Sequence, residues 1–162
     1  MRPMNQGTKN HLSLIIWIVG LIAIGSLIGS LTKPEISSWY STLNRSTLTP
    51  PNYVFPVAWT ILYGIIGACG WLIWHAQAFP KLSIIKTLYV AQLILNWSWT
   101  PLFFHYHLTR LSLIVLIAMD ILVGTITWLA YRKMKAVSLL MIPYLSWILF
   151  ATYLNFYIWW CN

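Results

Sequence analysis

Five stretches of the chain, residues 12–31, 53–74, 83–104, 111–131 and 137–160, are almost wholly apolar and are separated by polar links, all short but the first. At a rise of about 1.5 Å per residue, a helix of about 20 residues crosses the roughly 30 Å hydrocarbon core of a bilayer, and each stretch reaches that length. None alternates with the period of two that a strand of an outer-membrane barrel requires. The pattern predicts an all-α membrane protein, a five-transmembrane-helix bundle forming a single domain over 1–162. Its one long connection, a lid-like loop at 32–52, holds Trp39, Tyr40, Arg45 and Thr49-Pro50-Pro51. Pro51 has no N–H and a fixed φ, which suits a helix start, with Thr49 as the expected cap and Pro50 holding an extended approach.

The polar residues that interrupt the apolar runs carry more information than the runs themselves. Residues 91–104, AQLILNWSWTPLFF, place Gln92 and Asn96 one helical turn apart within a hydrophobic segment. An unpaired amide in hydrocarbon loses water that it cannot replace, so this face is expected to point at other helices or a cavity. Trp59 and Tyr63 share a face of the second segment, with Gly67 and Gly70 continuing near it. In the last segment Tyr144, Trp147, Ala151 and Asn155 form one stripe at helical spacing, expected to face inward. Gly25 and Gly29 form a G-x-x-x-G on the first helix, where two backbones can approach closely, either within the monomer or across a homodimer.

Composition sharpens the class. The chain has 162 residues, 59% hydrophobic and 7% charged, with a mean hydropathy of +0.72, values outside the range of soluble domains of this size. The net charge of +8 does not point to nucleic acid, because the ten Lys and Arg residues lie at segment ends and form no single patch. Arg2, Lys9, Lys81, Lys86, Arg132, Lys133 and Lys135 fall on one side, and Lys33, Arg45 and Arg110 on the other. That asymmetry predicts a cytoplasmic N-terminus and an outward C-terminus. Met1–Asn10 has no small-residue cleavage site behind it, so the first segment is read as a retained helix. Cys69 and Cys161 are too far apart along the helices to suggest a disulfide framework.

Catalytic chemistry has few residues to use. Asp and Glu total two, Glu35 and Asp120, which excludes paired-carboxylate catalysis. Asp120 at mid-segment is expected to be neutral and bonded to a neighbouring helix, since a charge there costs about 2.5–3.5 kcal/mol. His105 and His107 flank Tyr106 without thiolate or carboxylate companions, so no metal site is assigned. No Ser/His/Asp set, phosphate loop or nucleophile motif is present, and no cofactor is required. Eleven Trp residues, several at mid-span beside Asn or Gln, exceed what interfacial belts need and point to an aromatic cavity for a flat, mostly apolar ligand.

Several blocks in order resemble the TspO/MBR family, which includes the translocator protein, or peripheral-type benzodiazepine receptor. They are Trp39; Thr49-Pro50-Pro51 through Phe55, Trp59 and Leu62-Tyr63; Gln92-Leu93 and Leu95-Asn96-Trp97 through Trp99, Pro101 and Phe103-Phe104; and Pro143-Tyr144, Trp147, Phe150-Ala151-Thr152 and Leu154-Asn155. The resemblance implies a bacterial member and a five-helix bundle, often dimeric. Its cavity under the first loop would bind porphyrins such as protoporphyrin IX, sterols and benzodiazepine-type ligands. The family's pocket maps onto Trp59, Tyr63, Asn96, Trp97, Trp99, Trp147, Phe150, Ala151 and Leu154, with Trp39 as a lid residue; Tyr144 and Asn155 join them from the stripe above. The sequence departs from the family in three places. Phe156 and Trp160 replace the Tyr and Arg of the animal sterol motif, Leu48 replaces a frequent Trp, and Val115 replaces an early acid of the fourth helix. Two functions follow. One is a membrane receptor or carrier whose Trp side chains stack on a tetrapyrrole while Asn96 and Asn155 orient it, in a transport or stress-regulatory role. The other is a light- and oxygen-dependent porphyrin-degrading activity in which Trp147 supplies electrons.

Overall fold

The computed structural model describes residues 6–162, with side chains from Asn10 onward. Arg2 and the Lys9 side chain, both used in reading the orientation, lie outside the described residues. The fold is all-helical, as expected. Its elements are α1 (Gln6–Ser37), a single 3₁₀ turn (Tyr40–Thr42), α2 (Val54–Trp74), α3 (Leu82–Thr100), a π turn (Pro101–His105), α4 (Thr109–Ala130) and α5 (Lys135–Cys161). With no water inside a bilayer, a chain must satisfy its backbone groups within each segment, and long helices do so. Among the described residues α1 from Asn10, α2, α4 and α5 are long and apolar enough to span a membrane. Lys86, Gln92 and Asn96 interrupt the apolar run of α3.

The helices close into a ring in the order α1, α2, α5, α4, α3 and back to α1. Sequence neighbours α2 and α3 also touch, but the ring order brings α2 and α5 side by side. The interior is filled by Ile66, Ile85, Tyr89, Leu116, Met119, Tyr144 and Ile148, all essentially inaccessible. Lipid tails are as apolar as these side chains, so close packing and interhelical hydrogen bonds hold the ring together, more than hydrophobic burial does. Gly67 lets two backbones approach closely: a Cβ there would lie 2.8 Å from the Ile18 Cα and 2.9 Å from the Trp17 carbonyl oxygen on α1.

Three local expectations change. The lid-like loop does not begin at residue 32, because α1 continues through Pro34 to Ser37. Ile36, Trp39 and Tyr40 recur at helical spacing and pack with Phe103 and Ile158, and that packing outweighs the loss of one backbone bond at Pro34. The connection between α1 and α2 is therefore 38–53, with the 3₁₀ turn inside it. Thr49 does not cap α2. Its N–H donates to the Ser46 carbonyl at 3.0 Å, and the helix starts at Val54, whose N–H reaches the Pro51 carbonyl at 2.9 Å. Two consecutive prolines keep Thr49 and Pro50 out of the helical region, which delays the start. Lastly, Pro101 supplies no N–H, so α3 ends at Thr100 and widens into the π turn, in which the Tyr106 N–H reaches the Pro101 carbonyl at 3.0 Å. The wider turn carries Phe103 inward.

The G-x-x-x-G of α1 splits in two. Gly25 faces the Tyr63 ring inside the monomer, whereas a Cβ on Gly29 would meet nothing within 4 Å.

Candidate functional site

Gln92 and Asn96, separated by one turn of α3, both face the ring interior, where Gln92 is 0% and Asn96 3% exposed. Two tyrosines from non-adjacent parts of the sequence meet them. Tyr63 on α2 donates its hydroxyl to Asn96 Oδ1 at 2.6 Å, and Asn96 Nδ2 donates to the Tyr144 hydroxyl on α5 at 3.0 Å. Tyr144 in turn donates to Gln92 Oε1 at 2.8 Å. The bonds run in one direction across three helices and end at the Gln92 carbonyl, leaving the Gln92 Nε2 amide buried with no protein acceptor. Trp97 Nε1, on the next residue after Asn96, is likewise buried without an acceptor. Such donors cost roughly 1–3 kcal/mol each when left unpaired.

A second node lies closer to the lid. Asn155 on α5 accepts at Oδ1 from Trp99 Nε1 at 3.2 Å and from the Ser112 hydroxyl at 3.0 Å, and donates from Nδ2 to the Thr109 carbonyl at 2.8 Å. One amide thereby joins α3, α4 and α5. Leu154 beside it is buried.

Aromatic side chains divide into two groups around these polar nodes. Between α2 and α5, Trp59 packs on Tyr63 with ring centroids 5.6 Å apart, Phe55 on Trp147 at 6.1 Å and Trp147 on Phe150 at 6.0 Å. Ala151, half-buried, leaves this wall thin. Under the lid, Trp99 stacks on Phe103 at 5.4 Å, and Trp39 meets Phe103 edge-on at 5.4 Å. Trp39 also stacks on the His107 ring at 4.0 Å, and His107 reaches Glu35 at 3.4 Å.

Most of the residues expected to line a pocket fall into two groups. Tyr63, Asn96 and Tyr144 form the hydrogen-bonded chain, and Trp59, Trp147, Phe150 and Ala151 form the α2–α5 wall next to it. Trp99, Asn155 and Trp39 gather on the lid side. Gln92, Ser112 and Phe103 belong to the same assembly and were not among the expected pocket residues. Its spacing from Asn96 marks Gln92 in the sequence; Phe103 and His107 are placed by the π turn and the positive φ of His107, which no periodicity announces. Asp120 stands apart, accepting at Oδ2 from the Thr152 hydroxyl of α5 at 2.7 Å, a carboxyl bonded to a neighbouring helix.

The interior offers phenols, amides, indoles and flat ring faces. Its rings can stack on a flat apolar surface and its unpaired donors can pair with acceptors; among the described residues no carboxylate or imidazole is hydrogen-bonded to the polar chain.

The model of the TspO/MBR family matches residues 17–161. Similar proteins include the tryptophan-rich protein TspO of Archaeoglobus fulgidus, 39% identical over 153 residues that cover 94% of this chain and 99% of the relative. The tryptophan-rich sensory protein of Cereibacter sphaeroides is 34% identical over 128 residues, 79% of this chain and 78% of that one. The human translocator protein is 30% identical over 140 residues, 85% and 83% of the two chains.

Proposed function

The chain belongs to the TspO/MBR family and is an integral membrane protein; on that premise we propose that it is a receptor or carrier for porphyrins, among them protoporphyrin IX and haem-related tetrapyrroles. Sterols and benzodiazepine-type molecules are further ligands of the same aromatic site, and the role is tetrapyrrole transport or stress regulation. The observation that carries this reading is the pair of buried donors without protein acceptors, Gln92 Nε2 and Trp97 Nε1, in a bundle that also holds an aromatic wall between α2 and α5. A porphyrin has an extended face for the rings and carboxylates as acceptors, so it would answer both features. Trp39, packed over Phe103, acts as the lid, and a ligand enters by displacing segment 38–53. The seven-to-three distribution of Lys and Arg supports a cytoplasmic N-terminus and an outward C-terminus.

Trp147 supports a second reading. Its ring lies between Phe55 and Phe150 in the same wall, where a bound, illuminated porphyrin would draw an electron from it while oxygen takes part in ring breakdown. The pigment would then supply the difficult chemistry and the protein its position.

One experiment separates the two. Purified protein in detergent is titrated with protoporphyrin IX in the dark by tryptophan quenching, then illuminated in air, with Trp147→Phe in parallel. Saturable quenching without photoproduct supports the receptor, and a photoproduct that needs Trp147 supports degradation. Absence of saturable quenching removes porphyrin from both readings.

A further inference from the structure

At the end of the bundle opposite the lid, the α2–α3 and α4–α5 connections enclose a groove of about 340 Å³. Lys81, Arg132 and Lys133 stand on its rim, and Phe79, Trp128 and Tyr131 make its apolar sides. The three cations are exposed, as are Trp128 at 71% and Tyr131 at 64%, while Phe79 packs on the core. Lys81 Nζ lies 5.1 Å from the centre of the Trp128 ring, so one cation is already held over an aromatic face at the groove wall.

Among the described residues no counter-charge reaches these side chains. The chain has two acidic residues. Glu35 is at the lid end against His107, and Asp120 lies more than two helical turns before Trp128, bonded to Thr152. Asn162 is also at the lid end, where its side chain bonds Asn44. The groove is therefore a concentration of positive charge that the protein leaves unanswered.

Its depth identifies the partner. Trp and Tyr settle at the headgroup level of a bilayer, and Lys and Arg beside them extend their charge toward that layer along apolar stems. Along α4 the stripe through Trp128 continues to Ile121, 64% exposed, and Ile84 on adjacent α3 is 52% exposed. Acyl chains have an apolar track directly beneath the cations. We infer that this groove binds the phosphate headgroup of an anionic phospholipid, with Lys81, Arg132 and Lys133 on the phosphate and Trp128 and Tyr131 against the glycerol and upper acyl carbons. The inference needs only that the chain spans a membrane, and it stands whether or not porphyrin is the ligand of the interior.

Native mass spectrometry of the full chain in detergent, titrated with dioleoyl phosphatidylglycerol or dioleoyl phosphatidylcholine, tests it. The expected result is one retained phosphatidylglycerol at a concentration at least tenfold below that needed for phosphatidylcholine. Lys81→Gln/Arg132→Gln/Lys133→Gln should abolish the preference, and Lys33→Gln/Arg45→Gln/Arg110→Gln, an equal charge change at the lid end, should keep it. Equal binding of the two lipids, or equal loss in both triple variants, overturns the site. Displacement of the lipid by millimolar glycerol 3-phosphate would assign the groove to soluble phosphates and overturn the lipid source. Should the first triple variant not fold, photoactivatable phosphatidylglycerol on the unaltered protein decides: labelling must fall on residues 79–81 and 128–133, and labelling elsewhere overturns the proposal.

Discussion

Tyr144 lies within hydrogen-bond reach of both Asn96 and Gln92, accepting from the first at 3.0 Å and donating to the second at 2.8 Å. One hydroxyl on α5 therefore satisfies two amides one turn apart on α3, although the two backbones make few direct contacts. The side-chain chain substitutes for close packing between these helices across the ring interior.

Removing that hydroxyl should cost more than removing the one at the head of the chain. Tyr144→Phe strands the Asn96 donor and the Gln92 acceptor together, whereas Tyr63→Phe strands only Asn96 Oδ1. Interhelical bonds in membranes average about 0.6 kcal/mol, and stranded buried partners add to that. We expect losses of about 1–2 kcal/mol for Tyr144→Phe and about half as much for Tyr63→Phe, read from reversible unfolding in detergent. Equal losses would mean that the hydroxyl does not join the two amides.

The glycines of α1 and α2 predict a sharper contrast. A methyl on Gly67 would meet the backbone of α1, which has no rotamer to give way, so Gly67→Ala should lower stability by about 1–3 kcal/mol. Gly29→Ala meets open space and removes backbone freedom from the unfolded chain, so it should be neutral or slightly stabilising. Thermal midpoints of the two variants provide the check.

Much of this architecture was readable in the chain, and the exceptions have physical causes. Apolar runs located all five helices to within a few residues, apart from the longer α1, and the spacing of Gln92 and Asn96 identified the inward face of α3. The ring order was not legible, because lipid-facing and core-facing residues are equally apolar in α1 and α5. For the same reason the partners of the two amides could be expected only as a class. The end of α1 was not legible because the apolar run stops at Leu31, and the packing of Ile36 and Tyr40 on Phe103 that carries the helix onward is tertiary. Inward-facing residues were legible helix by helix; the division of Tyr63, Asn96 and Tyr144 from Trp99 and Asn155 into two hydrogen-bonded nodes depends on which helices adjoin.

The 38–53 connection should loosen in alkali. Burial pushes the Tyr40 phenol above its ordinary 10.0, an effect that nearby Arg45 only partly offsets. A group whose value is raised on folding contributes its stability below the unfolded value and loses it as pH rises through the folded one. Stability linked to Tyr40 is therefore complete below about pH 10 and declines above it. Thermal midpoints between pH 8 and 11 should fall more steeply for the unaltered protein than for Tyr40→Phe. Parallel curves would show that Tyr40 does not carry the effect.

Trp97→Phe gives the most discriminating test of the interior as a ligand site, because it separates binding from stability. The substitution keeps a flat aromatic face and removes an indole N–H that has no acceptor within the protein. Loss of ring volume destabilises, while loss of an unpaired buried donor stabilises; the two offset to within about 1 kcal/mol. A ligand acceptor that pairs with Nε1 would lose a bond in the variant, worth about 1–1.5 kcal/mol, or roughly tenfold in Kd. Protoporphyrin IX affinity by dark quenching should therefore weaken about tenfold while the unfolding midpoint barely moves. If affinity and midpoint fall together, Trp97 acts through packing, and Gln92 Nε2 is left as the single donor to which the ligand reading can appeal.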